Sequence, residues 1–304
     1  MMKRQLIIVA IAAYMFGMPF SGQKAMAQKP DKLKGEISLS GAFALYPMVI
    51  KWAEEFKKLH PNVRIDVSGG GAGKGMTDAL AKVVDLGMVS REIHAVETKK
   101  GALAIAVVKD AVIPTVNASN PVINDIRTKG LKKDVARKLW SDQCRTWGEA
   151  LGTSSRVPVH VYTRSDACGA AETWAAWFGT RQEDLEGTAV FGDPGVASAV
   201  QKDKVGIGFN NVAYAYDING NGKIDAEENF YGNTMQLMVA IAKGKYPSPP
   251  ARNLFLVSNG KPTKPEVIAF IEYILSDGQK YANITGYIGL SKKTINEQLA
   301  KLKK

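Results

Sequence analysis

Residues 68–75, which read SGGGAGKG, are the clearest candidate for ligand chemistry in this sequence. They lie between an alternating, strand-like run (63–67) and an apolar helical pattern (76–84). Glycine allows backbone N–H groups to approach a ligand closely, and the unpaired amides at the start of a helix attract anions. The stretch therefore predicts a site for an oxyanion, and the alternative is a flexible turn that binds nothing.

The spacing of these glycines excludes two nucleotide-binding motifs. A P-loop needs a glycine where Ser68 stands, and a serine or threonine for magnesium where Gly75 stands. A dinucleotide-binding fingerprint needs its third glycine where Lys74 or Met76 stands. The stretch is therefore assigned to an oxyanion rather than to a nucleotide.

A second, independent motif covers residues 217–228, which read DINGNGKIDAEE and match the calcium-binding loop of an EF-hand. Gly222 supplies the sharp turn of such a loop. No amphipathic helix precedes the motif, so we expect one structural calcium ion rather than a paired sensor, and the alternative is a turn rich in Asn and Gly. The predicted ligands are Asp217, Asn219, Asn221, Lys223 through its carbonyl, Asp225 and Glu228.

The elements that position these motifs alternate along the chain. Strands are expected at 36–39, 63–67, 86–89, 103–117, 157–162, 205–209 and 254–257, and helices at 47–59, 75–84, 170–178 and 265–275. Strands that alternate with helices predict an α/β fold in which sheets are flanked by helices.

The N-terminus has the pattern of a secretory signal peptide. Lys3 and Arg4 precede an apolar core at 6–20. The small residues Ala25 and Ala27 form a cleavage-site pattern, and we expect cleavage after Ala27. The predicted location is the periplasm, and the alternative is an uncleaved membrane anchor.

Two cysteines, Cys144 and Cys168, would enter that oxidising compartment. An even pair in an exported chain favours a disulfide between them. The alternative is two free, buried thiols.

The charge and the histidines limit the class of function. The chain has a net charge of +11, which falls to +8 without the leader, because Lys3, Arg4 and Lys24 lie there. A positive surface attracts small anions, and no basic run interleaved with aromatic residues indicates nucleic acid. The three histidines are isolated, so neither a zinc site nor a catalytic base is indicated.

Four loops follow predicted strands: 40–45, 68–75, Ser90 with Arg91, and 164–170, which reads RSDACGA. Further along the chain stand NPV (120–122), GIGF (206–209), SDGQ (276–279) and GYIGL (286–290). The order and spacing of these motifs resemble the periplasmic phosphate-binding proteins of ABC importers, over nearly the whole mature chain.

The resemblance implies a two-lobed, Venus-flytrap fold of type II binding-protein topology, each lobe a mixed sheet flanked by helices. Lobe 1 would comprise residues 28–113 and 249–304, and lobe 2 residues 114–248. The expected function is to capture inorganic phosphate between the lobes and deliver it to a membrane permease. The protein would be a monomer, with no enzymatic activity and no catalytic cofactor.

Matching the motifs residue by residue gives the predicted ligand-binding set, in which the Asp166 carboxylate accepts a hydrogen bond from a P–OH group. Four hydroxyl positions of the family carry Cys168, Ala170, Ala72 and the pair Ala44 and Leu45 instead. The remaining alternatives are therefore another oxyanion (molybdate, tungstate or phosphonate) or an exported, phosphatase-like hydrolase. The full set is Ala44, Leu45, Gly71, Ala72, Gly73, Ser90, Arg91, Arg164, Asp166, Cys168, Gly169 and Ala170.

Overall fold

The computed structural model describes residues 32–216, 249–283 and 286–303. The predicted leader (1–27) and the predicted calcium loop (217–228) lie outside the described residues. The strands are β1 (Gly35–Gly41), β2 (Val63–Gly69), β3 (Leu86–Val89), β4 (Ala102–Val116), β5 (His160–Arg164), β6 (Thr188–Val190), β7 (Gly206–Asn211) and β8 (Ala251–Asn259). The helices are α1 (Tyr46–Leu59), α2 (Gly71–Leu80), α3 (Ala95–Lys99), α4 (Ile123–Lys129), α5 (Lys133–Leu139), α6 (Trp147–Leu151), α7 (Gly169–Trp177), α8 (Gly192–Lys202), α9 (Val212–Tyr216), α10 (Pro265–Ile274) and α11 (Lys292–Lys303).

Helix α1 shows how the apolar pattern produces an element and its packing. Pro47 stands in its first turn, where a missing N–H costs nothing. Met48, Trp52 and Phe56 follow at intervals of four residues and are fully buried. The helix therefore packs one face against the sheet, as this spacing predicts.

The glycine stretch is more regular than the sequence indicates. Helix α2 begins at Gly71 and ends at Leu80, so the prediction of a helix over 75–84 is wrong at both ends. Gly70 and Gly71 have φ angles of 152° and 85°, which only glycine adopts readily. The chain can therefore turn from β2 into α2 without an intervening loop, and Gly71, Ala72 and Gly73 form the first turn of the helix.

The strands form a sheet in the order β2-β1-β3-β8-β4-β7-β5-β6. Strand β1 is parallel to β2 and β3, whereas β8 is antiparallel to both β3 and β4. Strand β4 is 15 residues long and changes partner along its length. Residues 102–111 pair with β8, with a break in register between Ala106 and Val108, and residues 112–116 pair with β7.

Two separate hydrophobic cores lie on the two parts of this sheet. The first contains Trp52, Phe56 and Phe270, with residues from β1, β3, β8 and the N-terminal part of β4. The second contains Trp140, Trp174 and Phe209, with residues from α5, α6 and α7. The predicted α/β architecture with two sheet-and-helix units is confirmed. Strand β4 continues from one unit to the other, whereas β8 pairs with β3 and with residues 102–111 of β4 in the first unit.

Several elements were not predicted, among them α3 to α6, β6, α8, α9 and α11. Most of these helices are short, and five residues offer too little periodicity to recognise. Within the ranges that the structure describes, no helix is long and apolar enough to cross a bilayer.

Candidate functional site

The starts of helices α2 and α7 meet between the two cores. A Cβ atom placed on Gly71 would lie 2.8 Å from the carbonyl oxygen of Ala167 and 3.1 Å from Oδ2 of Asp166. A Cβ atom placed on Gly169 would lie only 2.2 Å from the carbonyl oxygen of Ser90. The glycine stretch, the end of β3 and the loop after β5 therefore come together, as their positions after strands predicted.

Arg164 is held by two carboxylates. Its Nε and Nη2 atoms donate to Asp166 at 2.8 and 2.6 Å, and Nη1 donates to Oδ2 of Asp193 at 2.7 Å. The Arg164 side chain is 1% exposed. Burial by itself raises the pKa of Asp166, but the hydrogen bonds and charge of Arg164 outweigh it and hold that pKa below its usual value. Arg164 and Asp166 therefore form an ionised pair.

Asp193 was missed by the sequence analysis. It lies in the first turn of α8 and is followed by Pro194, and an acidic residue with a proline is a recognised sign of a helix start. Besides Arg164, it accepts hydrogen bonds from the backbone and side chain of Asn211. It therefore anchors Arg164 to strand β7.

Arg91 connects the two units. Its Nη1 and Nη2 atoms donate to Glu97 at 2.9 and 2.6 Å, and its Nε atom lies 3.2 Å from Oε2 of Glu172 on α7. His94 approaches the other oxygen of Glu172 at 3.5 Å. Burial raises the pKa of Glu172, and the nearby Arg91 opposes that rise. Arg91 thus lies at the boundary between the units, as expected of a cleft residue.

The predicted disulfide is wrong: Cys144 and Cys168 are both free and buried. The Sγ atom of Cys168 accepts a hydrogen bond from the Ala171 amide at 3.4 Å and so caps helix α7. Burial raises the pKa of this thiol to about 12. The backbone N–H of Cys168 donates to Oε1 of Gln182 at 3.1 Å. Cys168 therefore acts here as a helix cap, a role that the even count of cysteines in the chain could not reveal.

The positions that lack the family's hydroxyl groups are buried in apolar surroundings. Ala44, Leu45 and Ala72 belong to the first core, and Cys168 and Ala170 belong to the second. None of the five is more than 6% exposed. Ala44, Leu45, Ala72 and Ala170 pack into the two cores, whereas Cys168 also borders the pocket described next.

A pocket of about 410 Å³ lies beside this contact, between the two units. Three of the twelve predicted ligand-binding residues, Gly73, Arg91 and Cys168, line it. The other lining residues are His94, Ala167, Glu172, Ala176, Thr180, Arg181, Gln182 and Glu183. The open space therefore adjoins Arg91 rather than Arg164.

Arg252 on β8 is a further buried group that sequence analysis missed. It donates to the carbonyl oxygen of Gly169 and, at 2.9 Å, to Oγ1 of Thr173, and it lies 3.6 Å from Oδ2 of Asp110 on β4. These contacts connect helix α7 of the second unit to strands β8 and β4. The sequence shows only an arginine that follows a proline-rich segment, and this pattern does not predict contacts with α7 and β4.

No group of three or more His, Cys, Asp or Glu side chains that could hold a metal ion occurs within residues 32–216, 249–283 and 286–303. The predicted calcium ligands belong to the segment outside those ranges, so they are not tested by this finding.

Two α/β units with separate cores, joined by the continuous strand β4 and with helix starts facing each other between them, are the architecture of two-lobed binding proteins. The family model for the PBP superfamily domain matches residues 27–278. The chain belongs to this superfamily.

Individual relatives agree with that assignment. The chain is 28% identical to the protein SphX of Synechococcus elongatus, over 96% of this chain and 87% of the relative. It is 25% identical to the phosphate-binding protein PstS of Staphylococcus haemolyticus, over 90% of this chain and 86% of the relative.

Solved structures are similar in fold. One is a Clostridium perfringens protein assigned to the substrate-binding proteins of phosphate ABC transporters and solved with bound phosphate, with a TM-score of 0.71 and 22% identity over 84% of this chain and all of the other. An ABC-type phosphate transport receptor from Vibrio cholerae gives a TM-score of 0.61 and 18% identity over the same shares.

Proposed function

We propose that this protein is an extracytoplasmic solute-binding protein that captures inorganic phosphate between its two units and delivers it to an ABC importer. PstS of Staphylococcus haemolyticus and the Clostridium perfringens protein carry phosphate in their names and match this chain over most of its length. Membership of the superfamily supports a binding role rather than an enzymatic one.

The observation that carries the proposal is the meeting of the starts of α2 and α7 beside Arg91 and Arg164. Helix starts present backbone amides and the positive end of the helix dipole to an anion. The positive charge of Arg91 adds to this attraction, and one of its Nη2 hydrogens has no partner among the hydrogen bonds to Glu92 and Glu97. The Gly71 and Gly169 contacts allow the two helix starts to approach one another across the boundary.

Titration calorimetry of the mature protein with phosphate, sulfate, molybdate and tungstate tests this function. We expect heat with phosphate, and a large loss of affinity in Arg91→Ala. Arg145→Ala is the matched control, because its side chain is 73% exposed and, among the described residues, its ion pair is with nearby Asp142. The absence of heat with every oxyanion would refute the proposal, and heat with another oxyanion alone would identify a different ligand.

The same proposal includes the organisation of the chain. Lobe 1 would comprise residues 28–113 and 249–304, and lobe 2 residues 114–248, and the distribution of the two cores supports this division. The leader would direct the chain to the periplasm and be cleaved near Ala27. There the protein would act as a monomer and meet the permease of its importer. N-terminal sequencing and gel filtration of the exported protein test these points.

We also propose one structural calcium ion, bound by the loop of residues 217–228. Its support is the complete EF-hand spacing from Asp217 to Glu228. Binding to the folded state alone raises the melting temperature. Calcium should therefore raise the melting temperature and EDTA lower it, whereas Glu228→Gln should abolish the response. Equal melting curves in calcium and EDTA would refute the proposed calcium site.

A further inference from the structure

Glu172 on α7 joins the two units beside the place where the helix starts meet. Its Oε2 atom lies 3.2 Å from Nε of Arg91, and its Oε1 atom lies 3.5 Å from Nε2 of His94. Arg91 and His94 belong to the segment between β3 and α3 in the first unit, whereas α7 packs in the second core. One carboxylate of the second unit therefore contacts two basic side chains of the first.

These contacts lie next to the closest approach of the two units. Gly169, in the turn of α7 before Glu172, is so near Ser90 that an added Cβ atom would lie 2.2 Å from the carbonyl oxygen of Ser90. Ser90 directly precedes Arg91 in the chain. Separation of the units at this point would therefore pull Glu172 away from both basic side chains, and closure would restore the contacts.

Glu97 holds the first unit's side of this contact in place. Its carboxylate accepts hydrogen bonds from Arg91 at 2.9 and 2.6 Å and from the backbone N–H of His94 at 2.8 Å. Arg91 also donates to the carbonyl oxygen of Glu92 at 2.9 Å. Arg91 and the backbone of His94 are therefore positioned within the first unit itself, so less conformational entropy is lost when Glu172 reaches them.

Arg91 and His94 respond differently to pH. Arginine stays charged in folded proteins, whereas histidine changes its charge between about pH 5 and 8. The side chains of His94 and Glu172 are 51% and 39% exposed and border the same open pocket, so protons reach both from solvent. Protonation of His94 therefore adds a second ion pair to the one that Arg91 already makes with Glu172.

The other charged groups near this contact leave His94 as the group that adds charge in mildly acidic solution. They belong to the segment 92–97, to β8 and to the rim of the pocket: Glu92, Glu97, Arg252, Arg181 and Glu183. Burial by itself raises the pKa of Glu97, but the hydrogen bonds from Arg91 and His94 outweigh it and hold that pKa below its usual value. Burial raises the pKa of Glu172, so the contact should weaken again in more acidic solution, where this carboxylate loses its charge.

We infer that Glu172 fastens the two units in the arrangement in which the starts of α2 and α7 meet, and that His94 makes this fastening stronger in mildly acidic solution. The inference rests on the proposed function, because closure of the units is what would retain phosphate. Glu172 is a positioning residue, which acts by holding the start of α7 against the end of β3. If closure favours the protonated form of His94, protons and phosphate strengthen each other's binding.

Titration calorimetry with inorganic phosphate at pH 6 and pH 8 tests the inference on the unmodified protein and on His94→Asn. Phosphate itself changes charge between these pH values, so the two proteins are compared with each other at each pH. We expect the unmodified protein to bind about threefold more tightly than His94→Asn at pH 6, as for a half-exposed ion pair, and equally at pH 8. Asparagine suits the residue before a helix, so α3 should stay intact in the variant.

His160→Asn is the matched control. His160 is 56% exposed and pairs with Asp203 at 2.7 Å within the second unit, so its replacement should leave phosphate affinity unchanged at both pH values. In a Glu172→Gln background, His94→Asn should have no effect at pH 6. An effect that persists in that background would overturn the inference, because His94 would then act on the anion directly. Equal affinities of the unmodified protein and His94→Asn at pH 6 would overturn it as well.

Failure of the proposed function is distinguishable from failure of this inference. If phosphate gives no heat at either pH, the function is refuted, and small-angle X-ray scattering of the ligand-free protein then decides the inference. A smaller radius of gyration at pH 6 than at pH 8, with the difference lost in His94→Asn and in Glu172→Gln, would support the pH-sensitive contact. Equal radii at the two pH values would overturn it.

Discussion

Replacing Arg164 with alanine should destabilise the protein strongly, because it removes the partner of two buried carboxylates. Asp166 and Asp193 are 8% and 2% exposed at their side chains, and Arg164 bonds to both. Breaking a buried ion pair by removing one partner costs about 3–5 kcal/mol. That is a large part of the 5–15 kcal/mol typical of folded domains, and it corresponds to a melting temperature lower by about 10 °C.

Urea unfolding of Arg164→Ala beside Arg181→Ala measures this cost. Arg181 pairs with Asp184 on the surface of the same unit and is 77% exposed, so its removal should cost less than about 1 kcal/mol. A deficit below 1 kcal/mol for Arg164→Ala as well would refute the assignment of Arg164 to a buried ion pair.

The pH dependence gives a second, independent signature of the same pair. In the unmodified protein the folded pKa of Asp166 is lowered, so its contribution is present above the unfolded pKa and is lost as the pH falls through the folded value. Without Arg164, burial raises the pKa of Asp166 and is opposed only by backbone hydrogen bonds such as that from Gly192. The deficit of the variant should therefore be largest near pH 7 and shrink toward about pH 4. A deficit independent of pH would indicate lost packing instead.

Three further predictions follow from buried groups. Burial raises the pKa of Asp110 to about 7 even though Arg252 opposes the shift. The contribution of Asp110 to folding stability should therefore fall as the pH rises from about 4 to 7. Urea titrations of Asp110→Asn at pH 5 and pH 8 should show no such fall. Cys144 and Cys168 should react with a thiol reagent only after denaturation. If the denatured, unreduced chain showed no reactive thiol, the two cysteines would instead be joined in a disulfide. Gly169→Ala should weaken phosphate binding in calorimetry, because its Cβ would press against a backbone oxygen of the opposite unit, and unchanged affinity would show that this close approach is unnecessary.

The sequence predicted the elements that have a clear apolar pattern. Helices α1 and α10 appear close to their predicted positions because each buries one regular face, and strands β3 and β4 do so because they are short or long apolar runs that are largely buried. The meeting of Ser90, Arg91 and the loop after Arg164 was also predictable, because each follows a strand in a chain that resembles a known family.

Other features of the site depend on long-range contacts that leave no local pattern. Arg252 reaches Gly169 across 83 positions of sequence, and Glu172 reaches Arg91 across the boundary between the units. Helix α2 begins four residues early because Gly70 and Gly71 turn the chain directly out of β2, which helical periodicity alone does not reveal. The capping contact of Cys168 similarly replaces the disulfide that a count of cysteines suggested.

The distribution of tryptophans makes the second core directly observable. Trp140, Trp147 and Trp174 belong to that core and Trp177 packs against it, whereas Trp52 lies in the first. Intrinsic fluorescence during unfolding therefore reports mainly one unit, while far-ultraviolet circular dichroism reports helices of both. If the two signals change at the same urea concentration, strand β4 couples the units into one cooperative transition, and if the signals separate, each core unfolds on its own.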